Sequence, residues 1–307
     1  MKGTVSRFIV PAVAGLVVSV GAYAQAFRTY VASYGSAANP CTVSQPCRLV
    51  SDALPATLDG GEIWILDSAN FNSGTLNINK SVTIMAIPGQ MGSIVAAAGG
   101  PAITIATAFV NVRLRNLLIV DNANNHGTDG IDVAANVSLT VDDCVMRVQG
   151  DAVVANGSNA TALVMNSRIL GANYGVHAKG GASVEVVRTD FANVFNYGVY
   201  VDASTAATST IATIRDSSFS KVYSGAVLWS QVAGADGRLS MTGSSVSSAT
   251  WGIYVRQDAG TAVATAGGNT FGALTYGMVQ ASGTMESFGN NMSRAPNFGV
   301  ITTVGQN

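Results

Sequence analysis

Charge is scarce in this sequence. Asp, Glu, Lys and Arg make up 11% of its 307 residues and nearly cancel, leaving a formal net charge of -1. Without a basic excess there is no electrostatic footprint for the phosphates of nucleic acid, so no nucleic-acid partner is expected. Histidine occurs only twice and cysteine three times. A His-Glu-x-x-His zinc helix, a Gly-rich phosphate loop, a Gly-x-Ser-x-Gly elbow and a calcium-binding nonapeptide repeat are all missing. Long hydrophobic runs are missing too. The one candidate, Phe8 to Val20, is too short and too interrupted by Gly and Pro for a transmembrane helix. Preceded by Lys2 and Arg7 and followed by Ala22-Tyr23-Ala24, it reads instead as a secretory signal peptide over residues 1–24. The expected location is outside the cytoplasm: extracellular, cell surface or periplasm.

What the sequence has is repetition. A phrase of Gly, an apolar residue, any residue and another apolar residue returns as Asp129-Gly130-Ile131-Asp132-Val133, Tyr174-Gly175-Val176-His177-Ala178 and Tyr197-Gly198-Val199-Tyr200-Val201. It continues as Ser224-Gly225-Ala226-Val227-Leu228, Trp251-Gly252-Ile253-Tyr254-Val255, Tyr276-Gly277-Met278-Val279 and Phe298-Gly299-Val300-Ile301. With Asp151 taken as the equivalent of Gly130 in a degenerate copy, the spacings are 21, 24, 23, 27, 27, 25 and 22. Between these phrases lies a second block, Val112-x-Leu114-x-Asn116, Leu139-x-Val141-x-Asp143, Val184-x-Val186-x-Arg188 and Leu239-x-Met241-x-Gly243. Period-two alternation predicts short strands, and Asn, Asp or Gly after them predicts sharp corners. One such repeat cannot bury its own apolar face, so the copies must stack.

The expected fold is all-β: a right-handed parallel β-helix, a three-sheet solenoid of roughly nine or ten coils. The Asn-rich corners and Gly-Ile-x-Val strands resemble the pectin-lyase-like superfamily, over roughly Glu62 to the C-terminus. That resemblance implies a fold and leaves the activity open, because such coils serve lyases, hydrolases, esterases and adhesins alike. The predicted division is a signal peptide at 1–24, an N-terminal strand, cysteine loop and capping helix at 25–61, and the β-helix at 62–307. Cys41 and Cys47, six apart in a chain expected to be exported, can form a local disulfide. Ser44 can cap a helix with Pro46 in its first turn, running through Leu54 and covering the open end of the solenoid. Cys144 reads as a small buried residue.

If the Gly phrases are strands, their outward residues form two columns. The first is Asp132, Val153, His177, Tyr200, Val227, Tyr254, Val279; the second is Ala134, Ala155, Lys179, Asp202, Trp229, Arg256, Ala281. Together they gather His177, Lys179, Tyr200, Asp202, Trp229, Tyr254 and Arg256 on one face, aromatic rings beside hydrogen-bonding groups, as a sugar-binding surface requires. Outward aromatics also stabilise sheets without any ligand. The rings just before Gly (Tyr174, Tyr197, Trp251, Tyr276, Phe298) are expected to pack at a corner.

Thr128-Asp129-Gly130-Ile131-Asp132 resembles the Asn-Thr-Asp-Gly-Ile-Asp motif of polygalacturonases, and Gly150-Asp151 falls one coil later. The resemblance makes Asp129 and Asp151 candidate catalytic residues, and the outward face adds Asp132 and His177. It also breaks down: the family's acid falls at Gly150, its His at Tyr174, and its Arg-x-Lys near Val199 to Val201. The expected function is therefore a non-catalytic or degenerate protein presenting an elongated surface to a polysaccharide or to a cell-surface or matrix protein. The alternatives are a lyase or glycoside hydrolase acting on an acidic glycan, and a rod that stacks end to end as a homo-oligomer. No cofactor is expected, although the carboxylates of Asp129, Asp132 and Asp151 leave calcium open as a ligand.

Overall fold

The computed structural model describes residues 25–122 and 127–305. The expected leader, residues 1–24, and His126 lie outside the described residues. Among the described residues, strands succeed one another with a single short helix, Val50–Ala56, between the first two. Every strand pairing is parallel and joins one coil to the next, the pattern of a right-handed parallel β-solenoid of about nine turns.

Each complete coil carries three strands on three faces. Asn111–Arg115, Ser138–Asp142 and the strands stacked before and after them form a 12-stranded sheet. The other two faces are stacked separately through most of the solenoid. They become one hydrogen-bonded sheet of 17 strands because Ser245–Gln257 and Thr270–Gln280 run through the corner between them.

Alternation sends one set of side chains inward. Val112, Leu139, Ala162, Val184, Ala212 and Leu239 are register partners in successive coils, and all are buried. The corners after this sheet bear out the second sequence block: Asn116, Asp143, Arg188 and Gly243 have φ of 53°, 55°, 46° and 59°. This is the left-handed region, where Asn, Asp and Gly are tolerated and Arg188 is the exception.

Glycine in the repeated phrase has a different cause. Gly175, Gly198 and Gly252 lie within strands, without positive φ. A Cβ at Gly198 would sit 2.3 Å from the Phe219 ring and 2.6 Å from the Gly225 carbonyl oxygen; at Gly175 it would meet Phe191, at Gly252 Phe271. Glycine there is the space that a stack of core phenylalanines needs. Phe191 and Phe219 lie with ring centroids 4.6 Å apart.

Cys144 is buried, as expected, and belongs to a column of small polar residues inside the corner. Its sulfur lies 3.5 Å from the Leu117 N–H, and its own N–H donates to Ser167 Oγ. The same link recurs from Thr189 to Ser217, from Ser217 to Ser244 and from Ser244 to Asn269. Burial pushes the thiol up to about 12, so it stays protonated at neutral pH.

At the N-terminal end, Ala26–Val31 is already the outer strand of the 12-stranded sheet, paired with Thr57–Ile65. The Cys41–Cys47 disulfide is present, and its loop covers the strand's free edge: Cys47 bridges Val31 in parallel, and the Tyr30 N–H donates to the Cys41 carbonyl. Covering an edge in this way blocks further strand addition. It also corrects the expected helix start. With Cys47 held extended, Ser44 and Pro46 stay in the loop, and the helix begins at Val50, where the Asp52 carboxylate accepts from the Leu49 N–H. Val50, Ala53 and Leu54 of the helix are buried on the first coil. The C-terminal end exposes Met292, Phe298 and Val300 beside the short strand Ile301–Thr303.

Candidate functional site

The register corrects one step of the sequence reading. Asp129 pairs with Asp151 and Ile131 with Val153, so the equivalent of Gly130 is Ala152. The outward residues of that coil are Val154 and Asn156, where Val153 and Ala155 had been expected, and Val153 is a core residue. The degenerate copy lacks the glycine that anchors the phrase, and the neighbouring Gly150 drew the alignment off by one. From the next coil onward the expected columns hold: His177 pairs with Tyr200, Tyr200 with Val227 and Val227 with Tyr254, while Lys179 pairs with Asp202, Asp202 with Trp229 and Trp229 with Arg256.

At the centre of this face three consecutive coils are tied by one imidazole. His177 Nδ1 donates to Asp151 Oδ2 at 2.8 Å, and Nε2 lies 3.7 Å from Asp202 Oδ2, an ion-pair contact too long for a hydrogen bond. Asp151 is held from behind, its Oδ1 accepting from Asn173 Nδ2 and from the Tyr174 N–H. Gln231 donates to Asp202 Oδ1 at 2.6 Å from the far side. Burial by itself lowers the imidazole's pKa, but the two carboxylates outweigh it and the net shift is upward. For Asp202 burial again opposes, and the contacts with His177, Ser204 and Gln231 bring its pKa below the usual carboxylate value. The arrangement is a carboxylate–imidazole–carboxylate clamp.

Rings close over this clamp. Tyr200 stacks on His177 at 4.8 Å, and Tyr174 stands edge-on to His177 at 5.2 Å while stacking on Tyr197. His177 and Tyr200 are thereby only 7% and 6% exposed. They form an under-layer, and the rings that reach solvent are others. Tyr174 and Tyr197 lead through Tyr223 to Trp251, which stacks on Tyr254 at 4.5 Å. Of the rings preceding Gly, Tyr174, Tyr197 and Trp251 therefore belong to the face, while Tyr276 packs against Phe298. Tyr223 was missed because it precedes the Gly phrase by two residues, on the turn before its strand. Farther along, Trp229 donates to Asp258, and Arg256 lies over the Trp229 ring at 4.5 Å while pairing with Asp258 at 2.7 Å.

Toward the N-terminal side lie Asp129 and Asp132. Together with Lys179, Asn156, Val154 and Thr104 they line a pocket of about 200 Å³. Asp129 Oδ1 accepts from the Asp151 N–H at 2.8 Å, the structural use expected of a carboxylate at the start of a strand. Asp132 Oδ1 is buried and makes no hydrogen bond. Burial, reinforced by negative Asp129, pushes the Asp132 carboxyl up to about 6 against the pull of Lys179. Burial also raises Asp129. Among the described residues, no group of three or more His, Cys, Asp or Glu side chains is arranged to hold a metal ion.

The sequence matches the family described as Right handed beta helix region over residues 101–272, more than half of the chain. The chain belongs to the right-handed β-helix family. No curated protein matches it. Among solved structures, this β-helix is similar to pectate lyase Pel9A, with 13% identity, a TM-score of 0.66, and 93% of this chain and 80% of that one covered. XylC in complex with xylose gives 7% identity and a TM-score of 0.59, covering 87% and 70% of the two chains. The pectin methylesterase from Aspergillus niger gives 12% identity and a TM-score of 0.58, covering 81% and 86%. At these identities what is shared is the fold.

Proposed function

We propose that the broad face of this β-helix binds a polysaccharide. The observation that carries the reading is the unbroken run of rings from Tyr174 through Tyr197 and Tyr223 to Trp251 and Tyr254. These rings cross successive coils beside the hydrogen-bonding groups of Lys179, Asp202 and Gln231. Sugars present C–H faces to stack on rings and hydroxyls to bond to carboxylates and amides, and a surface with both is suited to them. Extracellular work fits the Cys41–Cys47 disulfide, a bond that persists in oxidising compartments. Among the described residues no helix is long and apolar enough to cross a membrane.

The test is glycan binding by residues 25–307, with Tyr197→Ala and Trp251→Ala. Each substitution should weaken binding about tenfold or more, as expected when a central aromatic anchor is truncated. Unchanged binding in both variants would remove the ring surface from the reading.

Catalysis on the same glycan is a second reading, favoured by Asp132. A carboxyl with a pKa of about 6 in a pocket is partly protonated in mildly acidic solution and can give its proton to a leaving sugar oxygen. Release of oligosaccharides by the parent, abolished in Asp132→Asn while binding persists, would establish it.

A further inference from the structure

Resting on the polysaccharide reading, we propose that the ligand of the broad face is a neutral glycan and that the face rejects polyuronates. The argument is a census of the cations on this face and of what each already does. Three are present in the outward columns: His177, Lys179 and Arg256. His177 is held between Asp151 and Asp202, covered by Tyr174 and Tyr200, and its Nε2 is buried. It cannot present a donor to an incoming carboxylate. Arg256 donates through Nε to Asp258, with its guanidinium carbon over the Trp229 ring. Lys179 lines the pocket of Asp129 and Asp132 and is the register partner of Asp202.

Recognition of a uronate needs an unengaged fork of donors or a positive field at the carboxylate. On this face each of the three cations stands beside a carboxylate, His177 by Asp151 and Asp202, Lys179 by Asp129 and Asp132, and Arg256 by Asp258, so no net positive field is left. At its polar end four carboxylates, Asp129, Asp132, Asp151 and Asp202, stand against two cations, His177 and Lys179, a balance of -2 with all carboxylates ionised and His177 charged. A row of negatively charged sugar units laid along the rings would run into that field at the polar end, while a neutral chain finds stacking surfaces and acceptors without the repulsion.

Repulsion between these partly covered carboxylates and the charges of a ligand in solvent is screened by salt, over about 8 Å in physiological salt wherever water reaches it, which gives the proposal an unusual signature. Affinity for a polyanion should rise with salt, the reverse of ordinary polyelectrolyte binding. The experiment measures binding of residues 25–307 to dextran, galactan, arabinan and xylan and to polygalacturonate and alginate, at 20 mM and 500 mM NaCl. Asp129→Asn/Asp132→Asn and Tyr197→Ala variants are run alongside. At low salt a neutral glycan should bind at least about tenfold more tightly than either polyuronate. High salt should narrow the gap, and the double Asn variant should narrow it about tenfold at low salt.

Polyuronate bound as well as or better than any neutral glycan at low salt, with loss in Tyr197→Ala, would overturn the neutral assignment and leave the polysaccharide reading standing. A neutral-over-acidic preference that salt and the double variant leave untouched would overturn the electrostatic cause. Binding of no glycan in either class would overturn both readings together.

Discussion

Replacing Asp132 with asparagine should stabilise this protein near neutral pH and leave its stability nearly unchanged in acid. The carboxyl is raised from its ordinary 3.8 to about 6, first by burial and then by the neighbouring charge of Asp129. A folded-state pKa above the unfolded one means that the folded chain holds the proton more tightly, so ionising Asp132 works against folding. That penalty is fully present above pH 6, shrinks between 6 and 3.8, and is absent below. Carried in full, the shift corresponds to about 3 kcal/mol. Water reaches part of this side chain and screens it, which reduces the expected gain to about 1 kcal/mol. Asparagine keeps the shape, removes the charge, and can offer its amide to Asp129.

The assay is urea unfolding of parent and variant at pH 7.5 and pH 4, followed by far-UV circular dichroism and compared by midpoint at equal slope. A stacked solenoid can unfold in more than one step, so the comparison holds only where the slopes agree. A variant less stable than the parent at pH 7.5, or a difference of the same size at both pH values, would refute the reasoning. Either result would mean that Asp132 acts through packing or hydrogen bonding and not through its ionisation.

Two further substitutions probe the core. Gly198→Ala should destabilise by about 1–3 kcal/mol, because its Cβ would press on the Phe219 ring and on a backbone carbonyl that cannot move aside; Gly272→Ala, where nothing lies within 4 Å of the new atom, should be close to neutral in the same unfolding assay. Cys144→Ser should fold with a loss of no more than about 1 kcal/mol, since a hydroxyl extends the polar column to which the sulfur already belongs. A loss of several kcal/mol there would show that the sulfur serves as an apolar filler and not as an acceptor.

The fold was legible because its two signals are periodic and each has a physical cause. The strand-and-corner block at Val112-x-Leu114-x-Asn116 marks alternation ending in left-handed backbone. The Gly phrase marks the place where phenylalanine rings fill the core. Legibility failed where the signal was incomplete. The coil of Asp151 lacks the glycine, and the alignment slipped by one residue, enough to exchange Val154 for Val153 and turn a face inside out. The helix start was misread for another reason: Ser44 and Pro46 carry good helix-start chemistry, but the edge pairing of Cys47 with Val31 overrides it. The candidate site was half legible. Columns gave its membership, while the layering of Tyr174 and Tyr197 over His177 and Tyr200 depends on side-chain directions that no column shows.

That layering follows from the geometry of stacked coils. In a parallel solenoid the obvious neighbours are register partners, but side chains lean along the strand as they rise, and His177 reaches diagonally on both sides. Its Asp151 partner is in the preceding coil, three residues before its own register partner Val154; its Asp202 partner is in the following coil, two residues beyond Tyr200. A search along columns alone assigns His177 the neighbours Val154 and Tyr200 and sees an isolated histidine. A search along diagonals finds a clamp on three coils. The clamp bears on the face above it: while both carboxylates face the imidazole, Tyr174 and Tyr200 have a fixed surface to pack on, and the half-buried run from Tyr197 to Tyr254 keeps one geometry across coils whose lengths differ. Binding by such a surface depends on preorganised rings, and in this chain the residue best placed to preorganise them is a buried histidine that no ligand can touch.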